Sequence, residues 1–398
     1  MTTQSTARRL RVALVASYDV TDMHAWSGTA YYVLQTLRNC GFDVVTLGAL
    51  DDVFSFWDSL RFRYRKLRGV HYFRWLEPVV LRNYGKQIAA RIRDKNIDVV
   101  MSLGSAPVSH LEISQPIVFL SDATFAALKN FYPDFTGLIP QTLRNGDEME
   151  QLALSRCALA IFASDWAARS ALEHYAADPA KIRVIPLGAN IECNRTMADI
   201  DQITDNKSFD TCRLLFVGVD WLRKGGDRAL EIATELNERG IPAELHVVGC
   251  EPPGATPDFV VRHGFISKKS AQGAAQYDKL LMESHFLVIP SMAECYGLVF
   301  AEASSFGLPS ISTRVGGIPT VIADGKNGYT LDPAAPAATY CDVIARLFRD
   351  RPSYEGMART SFREYAERLN WNVAGERIRE AIELVCGNAA ASPPASPS

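Results

Sequence analysis

The chain has no apolar run long enough to cross a bilayer. The longest, CALAIFA at 157–163, is about seven residues where a spanning helix needs roughly 18. The opening stretch, MTTQSTARRLRVALVAS, contains no extended apolar core followed by a cleavage site. A secretory leader is therefore not expected, and the chain reads as cytoplasmic. Clustered cysteines are also missing. The eight cysteines are scattered without a CxxC, which disfavours zinc ribbons and dithiol redox chemistry and reads as free thiols in a reducing compartment. The seven histidines form no HExxH, so no metal site is expected. An excess of either charge is absent as well. With 42 basic and 45 acidic residues there is no global electrostatic case for binding nucleic acid.

What is present is ample core material. Of 398 residues, 47% are hydrophobic, enough for two domains. Strand-like runs alternate with helical patterns throughout. LRVALVAS (10–17) reads as a buried strand, followed by a helix opening at Gly28 and Thr29 with Ala30, Val33, Leu34 and Leu37 on one face. FDVVTLG, IDVVMSL, PIVFLSD and LAIFAS continue the series, and CRLLFVGVD (212–220) restarts it. Such repetition means parallel strands joined by right-handed crossovers, hence two doubly wound α/β domains. Ligands of such sheets bind at the carboxyl ends of the strands, which implies a cleft between two facing domains. The expected division is an N-terminal domain at 1–190, a polar linker at 191–210, a second domain at 211–366, a C-terminal helix at 367–386 and a small, Pro-rich disordered tail at 387–398.

The densest chemistry lies in HFLVIPSMAECYGLVFAEASSFGLPSISTRVGGIPTVIADGKNGYTLDP (285–333). A strand ends near Ile289, a loop carries Glu294, and a helix begins at Gly297 with Glu302 inside it. A loop-to-helix junction points unpaired backbone N–H groups at a ligand, and phosphate is the usual occupant. A carboxylate beside phosphate is better used to accept hydrogen bonds from sugar or ribose hydroxyls.

This stretch resembles the E-x7-E signature of the retaining family 4 glycosyltransferases, which have the GT-B fold of two Rossmann-like domains around a central cleft. The resemblance implies that Glu294 lies at the donor sugar, that Glu302 binds the ribose, and that the backbone of Cys295, Tyr296, Gly297 and Leu298 holds the diphosphate. Four further segments are similar in order and spacing. LLFVGVDWLRKGGDRALEIA (214–233) places Lys224 at the family lysine that neutralises the diphosphate, while Val219 replaces the usual arginine, leaving Arg223 to supply that charge. DMHAWSGTAYYVLQTLRNCGFDVVTL (22–47) resembles the glycine loop, with Gly28 at the donor. IFASDWAARSALEHYAADPAKIRVIPLGANI (161–191) resembles the end of the first domain, and RLNWNVAGERIREAIE (368–383) the helix that returns to it. Where many members carry a histidine near the reacting carbon, PIVFLSDATFAAL offers Asp122 or Ser121; the carboxylate of Asp122 is the better candidate.

The resemblance implies retaining transfer of a sugar from a nucleotide diphosphate sugar to a hydroxyl acceptor, with Asp122, Lys224 and Glu294 catalytic and neither metal nor cofactor required. The donor is a co-substrate; the nucleotide, sugar and acceptor are not specified. Other readings are a non-catalytic sugar-nucleotide-binding protein, which Val219 favours, and a disaccharide phosphorylase or epimerase on the same fold. A dinucleotide-dependent oxidoreductase is disfavoured, because no G-x-G-x-x-G follows the first strand. Residues 61–93 hold ten Lys or Arg and one acidic residue, Glu77, interleaved with aromatics. They read either as a solvent-facing helical hairpin with buried aromatics, or as a docking segment for an anionic acceptor or the inner membrane face.

Overall fold

The computed structural model describes residues 8–54, 60, 63 and 71–391, with side chains to 388. The chain divides into two compact units, one formed by 1–185 with 371–398 and the other by 186–370.

The first unit alternates strand and helix: β1 (Arg11–Val15), α1 (Thr29–Asn39), β2 (Asp43–Leu47), α2 (Pro78–Ile92), β3 (Val99–Leu103), β4 (Ile117–Ser121), α3 (Phe125–Leu128), α4 (Pro140–Arg156), β5 (Leu159–Phe162), α5 (Asp165–His174) and β6 (Ile182–Val184). The strands form one parallel sheet in the order β2-β1-β3-β4-β5-β6. Every residue of β3, β4 and β5 is buried, as expected for parallel strands covered on both faces, and this is why they are nearly continuous apolar runs.

The second unit contains α6 (Met197–Asp205), β7 (Cys212–Val217), α7 (Gly226–Glu238), β8 (Ala243–Val248), β9 (Val260–Gly264), α8 (Ala271–Glu283), β10 (Phe286–Ile289), α9 (Leu298–Ser304), β11 (Ser310–Thr313), α10 (Ile318–Val321), β12 (Gly328–Leu331), α11 (Ala337–Arg349) and α12 (Arg351–Arg368). Its strands are again all parallel, in the order β12-β11-β10-β7-β8-β9. Strand order reverses between β7 and β10, and between β1 and β3 in the first sheet. Those reversal points are where such sheets leave a crevice.

The last helix, α13 (Trp371–Ala391), groups with the first unit. It packs on α1, where a side chain at Gly375 would meet Thr36 and Cys40, and Trp371 stacks on Tyr32 with ring centroids 6.1 Å apart.

The segment read as a linker, 191–210, differs. It holds α6, opened by a capping box in which the Thr196 side chain accepts from the Asp199 N–H and Asp199 accepts from the Thr196 N–H. Ile200 of α6 packs against Ala358 and Phe362 of α12, so the segment is part of the second unit. The tail expected from 387 is helical to Ala391, and 392–398 lie outside the described residues. Most of the basic stretch at its N-terminal end, 61–62 and 64–70, also lies outside them. The described remainder spends its apolar side in the core: Leu76, Val80, Leu81, Tyr84, Ile88 and Ile92 are buried there, with Phe73 and Trp75 packed alongside. No helix among the described residues is long and apolar enough to cross a membrane.

Candidate active site

In the second unit the site is built at the strand-order reversal. β7 and β10 pair in parallel, Leu214 opposite Phe286 and Leu215 opposite Leu287, so the loops leaving their carboxyl ends are neighbours. Backbone contacts join these loops. The Met292 N–H donates to the Arg223 carbonyl at 2.8 Å. Gly225, the left-handed N-cap of α7 at φ 77°, runs so close to Pro290 that a Cβ there would lie 2.0 Å from the Pro290 carbonyl oxygen. Only glycine satisfies both conditions.

This junction brings three of the expected residues together. Lys224 forms an ion pair with Glu294, and the Arg223 guanidinium lies 3.8 Å from the same carboxylate. Arg223 is itself oriented: its Nη1 donates to the Ala293 carbonyl at 3.0 Å and its Nε lies 3.4 Å from Asp220. Both partners of the Lys224–Glu294 pair are only 12% exposed, so their attraction is weakly screened. Val219 is 71% exposed and carries no charge into this cluster. Arg223 and Lys224 are the cations beside Glu294.

The loop then runs through Cys295 and Tyr296, both buried, to Gly297 at φ 92°, which caps α9 ahead of Leu298. The Tyr296 hydroxyl donates to the Leu187 carbonyl at 2.7 Å, and burial holds it protonated, its pKa raised. Its side chain is thus engaged in the fold, leaving the backbone of 295–298 as the part that can serve a ligand.

Glu302 is separate from this cluster. It is 3% exposed and accepts from the Tyr277 hydroxyl at 2.9 Å and from Lys268 at 2.5 Å. Burial, then the charge of Glu302, raises the Tyr277 pKa well above its usual value. Lys268 and Tyr277 were not legible in sequence. They stand 34 and 25 residues from Glu302, and a tyrosine on the buried face of α8 looks like ordinary core.

In the first unit, Gly28 is buried at the N-cap of α1 with φ 86°, the last of three successive left-handed residues after Trp26 at 47° and Ser27 at 55°. Left-handed backbone is costly for Trp and Ser, and the strained turn aims the Trp26 indole, whose Nε1 donates to Asp122 at 2.9 Å. Ser121 instead donates to the Ala123 carbonyl at 2.7 Å and is engaged in its own turn. Of the two candidates for the missing histidine, only Asp122 connects to the glycine loop. Among the described residues, no group of three or more His, Cys, Asp or Glu is placed to hold a metal ion, and the eight cysteines are free thiols.

Residues 211–350 match the family model described as Glycosyl transferases group 1. This part of the chain is similar to that family. It contains Arg223, Lys224, Glu294 and Glu302. The chain is similar to a D-inositol 3-phosphate glycosyltransferase from Corynebacterium diphtheriae, 28% identical over 235 residues, 55% of this chain and 53% of that one. It therefore spans about half the length of that curated relative. Among solved structures it is similar to sucrose-phosphate synthase from Thermosynechococcus elongatus, with a TM-score of 0.68 and 17% identity over 96% of this chain and 100% of that one. It is also similar to Anabaena HepE in complex with UDP-glucose, with a TM-score of 0.62 and 12% identity over 94% and 99%. At such identities the likeness speaks for the fold, two α/β units of the GT-B type.

Proposed function

We propose that this protein is a retaining glycosyltransferase that moves a sugar from a nucleotide diphosphate sugar to a hydroxyl acceptor. The observation that carries the reading is the Arg223–Lys224–Glu294 cluster at the strand-order reversal of a domain similar to the group 1 glycosyltransferases. Two cations and a largely buried carboxylate stand beside the loop that opens α9. A solved neighbour of the same fold binds UDP-glucose, which supports a sugar nucleotide as donor.

In the reaction the bond between the anomeric carbon and the β-phosphate oxygen breaks, and negative charge grows on that oxygen. Lys224 and Arg223 stabilise it, together with backbone N–H groups of 295–298. This is the neutralisation a divalent metal supplies in other phosphate sites. Glu294 holds Lys224 in place until the donor arrives and then accepts hydrogen bonds from the sugar. Glu302 takes the ribose. The acceptor oxygen attacks the face the phosphate leaves and passes its proton to the departing phosphate, so configuration is retained. Asp122, oriented by Trp26, polarises the acceptor hydroxyl or holds the donor sugar.

The test is release of UDP, GDP or ADP from a panel of sugar nucleotides with a mixed acceptor library, and anomeric assignment of the product by NMR. Transfer with retention is expected. An inverted product removes the retaining mechanism, and binding of a sugar nucleotide without turnover under any acceptor selects a non-catalytic sugar-nucleotide-binding protein, the reading that Val219 favours.

A further inference from the structure

The first unit contains a cavity of about 550 Å³, within the range of about 300–1,000 Å³ typical of small-molecule sites. It lies where β1, β3 and β4 end: Ser17, Ser105 and Asp122 line it. This is the crevice beside the reversal between β1 and β3, where such sheets take ligands.

The wall is chemically one-sided. Asp52, Asp122 and Glu150 line the cavity, and among the described residues no Lys, Arg or His does. An entering anion would meet three carboxyl groups in surroundings less polar than water. Trp75, Phe125 and Phe135 add flat apolar faces. A sugar or cyclitol ring is the complement of such a wall. Its C–H faces suit the aromatic planes, and its hydroxyl hydrogens suit carboxylate oxygens.

Glu150, on α4, supplies an independent observation. It is 2% exposed. Its Oε2 accepts from Ser105 Oγ at 3.0 Å and from the Phe125 N–H at 3.1 Å, while Oε1 has no hydrogen-bond partner. A buried carboxyl oxygen in that state carries a desolvation cost that a ligand hydroxyl would relieve. Burial also raises the Glu150 pKa to about 7, so near neutrality the group both donates and accepts, as a hydroxyl partner allows.

We infer that this cavity takes the acceptor as an uncharged polyhydroxylated ring and rejects its phosphate esters, with Glu150 as a positioning residue for one ring hydroxyl; this rests on the transferase reading above. Full-length protein is titrated, with UDP present, with myo-inositol, methyl α-glucoside and methyl α-mannoside, and with inositol 3-phosphate, glucose 6-phosphate and mannose 6-phosphate, using saturation-transfer NMR. The same compounds then serve as acceptors. The neutral member of at least one pair binds about tenfold more tightly than its phosphate ester, and Glu150→Ala weakens that binding and raises acceptor KM about tenfold, with donor KM within about twofold. Glu150→Gln fills the same space, still accepts from Ser105 and Phe125, and falls between the two. Thermal unfolding confirms that each variant is folded. Failure of every neutral compound to bind, tighter binding of the phosphate esters, or a folded variant that binds as before would overturn the proposal. The two readings separate cleanly. A protein that binds a neutral ring but never releases nucleotide from any sugar nucleotide sinks the transferase reading alone. One that hydrolyses sugar nucleotides but binds no neutral ring sinks the pocket alone.

Discussion

Lys224 and Glu294 are paired across two loops that lie 70 residues apart in sequence. Strand pairing between β7 and β10 makes them neighbours. Under the proposed function, this contact joins the lysine assigned to the diphosphate to the carboxylate assigned to the sugar.

Removing the lysine tests that arrangement. Lys224→Ala is expected to lower kcat by about 10²–10³, the size of losing one preorganised charge-stabilising donor. Steady-state nucleotide release measures it. A fall smaller than about threefold would remove Lys224 from the transition state.

Glu302→Ala has a second consequence besides lost donor affinity. It strands the Tyr277 hydroxyl in the core and leaves Lys268 without its carboxylate. A stability loss of about 1–3 kcal/mol is expected, the cost of an orphaned buried polar group. Chemical denaturation of the free protein reads the stability and isothermal titration with sugar nucleotides reads the affinity. Unchanged stability with lost binding would mean that the Tyr277 hydroxyl finds another partner.

Gly225→Ala should be worse than any change to a charged group nearby. The new methyl meets the Pro290 carbonyl in a left-handed backbone. A loss of about 3 kcal/mol or more is expected, roughly 6–12 °C in the midpoint for a unit of this size. Differential scanning calorimetry checks it, and a shift under about 2 °C would mean that the two loops separate freely.

The pH dependence of stability has a definite sign at Glu150. Burial raises its pKa from 4.5 to about 7 in the folded chain. Below 4.5 both folded and unfolded chains are protonated there and the group is neutral in the balance. As pH rises toward 7 the unfolded chain has released a proton that the folded one retains, so stability falls, by about 3 kcal/mol in total from this group. Glu150→Gln should flatten that part of the profile between pH 4.5 and 7 in urea unfolding. A variant with the parental slope would show that Glu150 titrates normally.

The sheets were legible because parallel strands buried on both faces leave continuous apolar runs, as in VVMSL and IVFLS. The helix α6 was not, because only Ile200 and Thr204 of its nine residues are buried and its apolar partners lie on α12. Its capping box, T-x-x-D at 196–199, was the available signal, with Asp in the place usually held by Glu or Gln. Lys224 and Glu294 were named from the family resemblance, which did not announce that they pair with each other. Glu150 was not legible, since one more acidic residue in NGDEMEQL (145–152) has nothing in its neighbourhood to mark it as buried. Trp26 was hidden for a different reason: its role comes from a left-handed turn that the surrounding residue types do not announce.

The first unit is closed by a helix that follows the whole second unit in the chain. While the chain emerges, 1–185 lack α13, and the Tyr32 and Gly375 contacts cannot form until 186–370 have been made. The second unit is contiguous and can complete its sheet first. Of the two units, the one whose synthesis starts earlier is the one completed later, and its α1 face is the surface a nascent chain must shield in the interval.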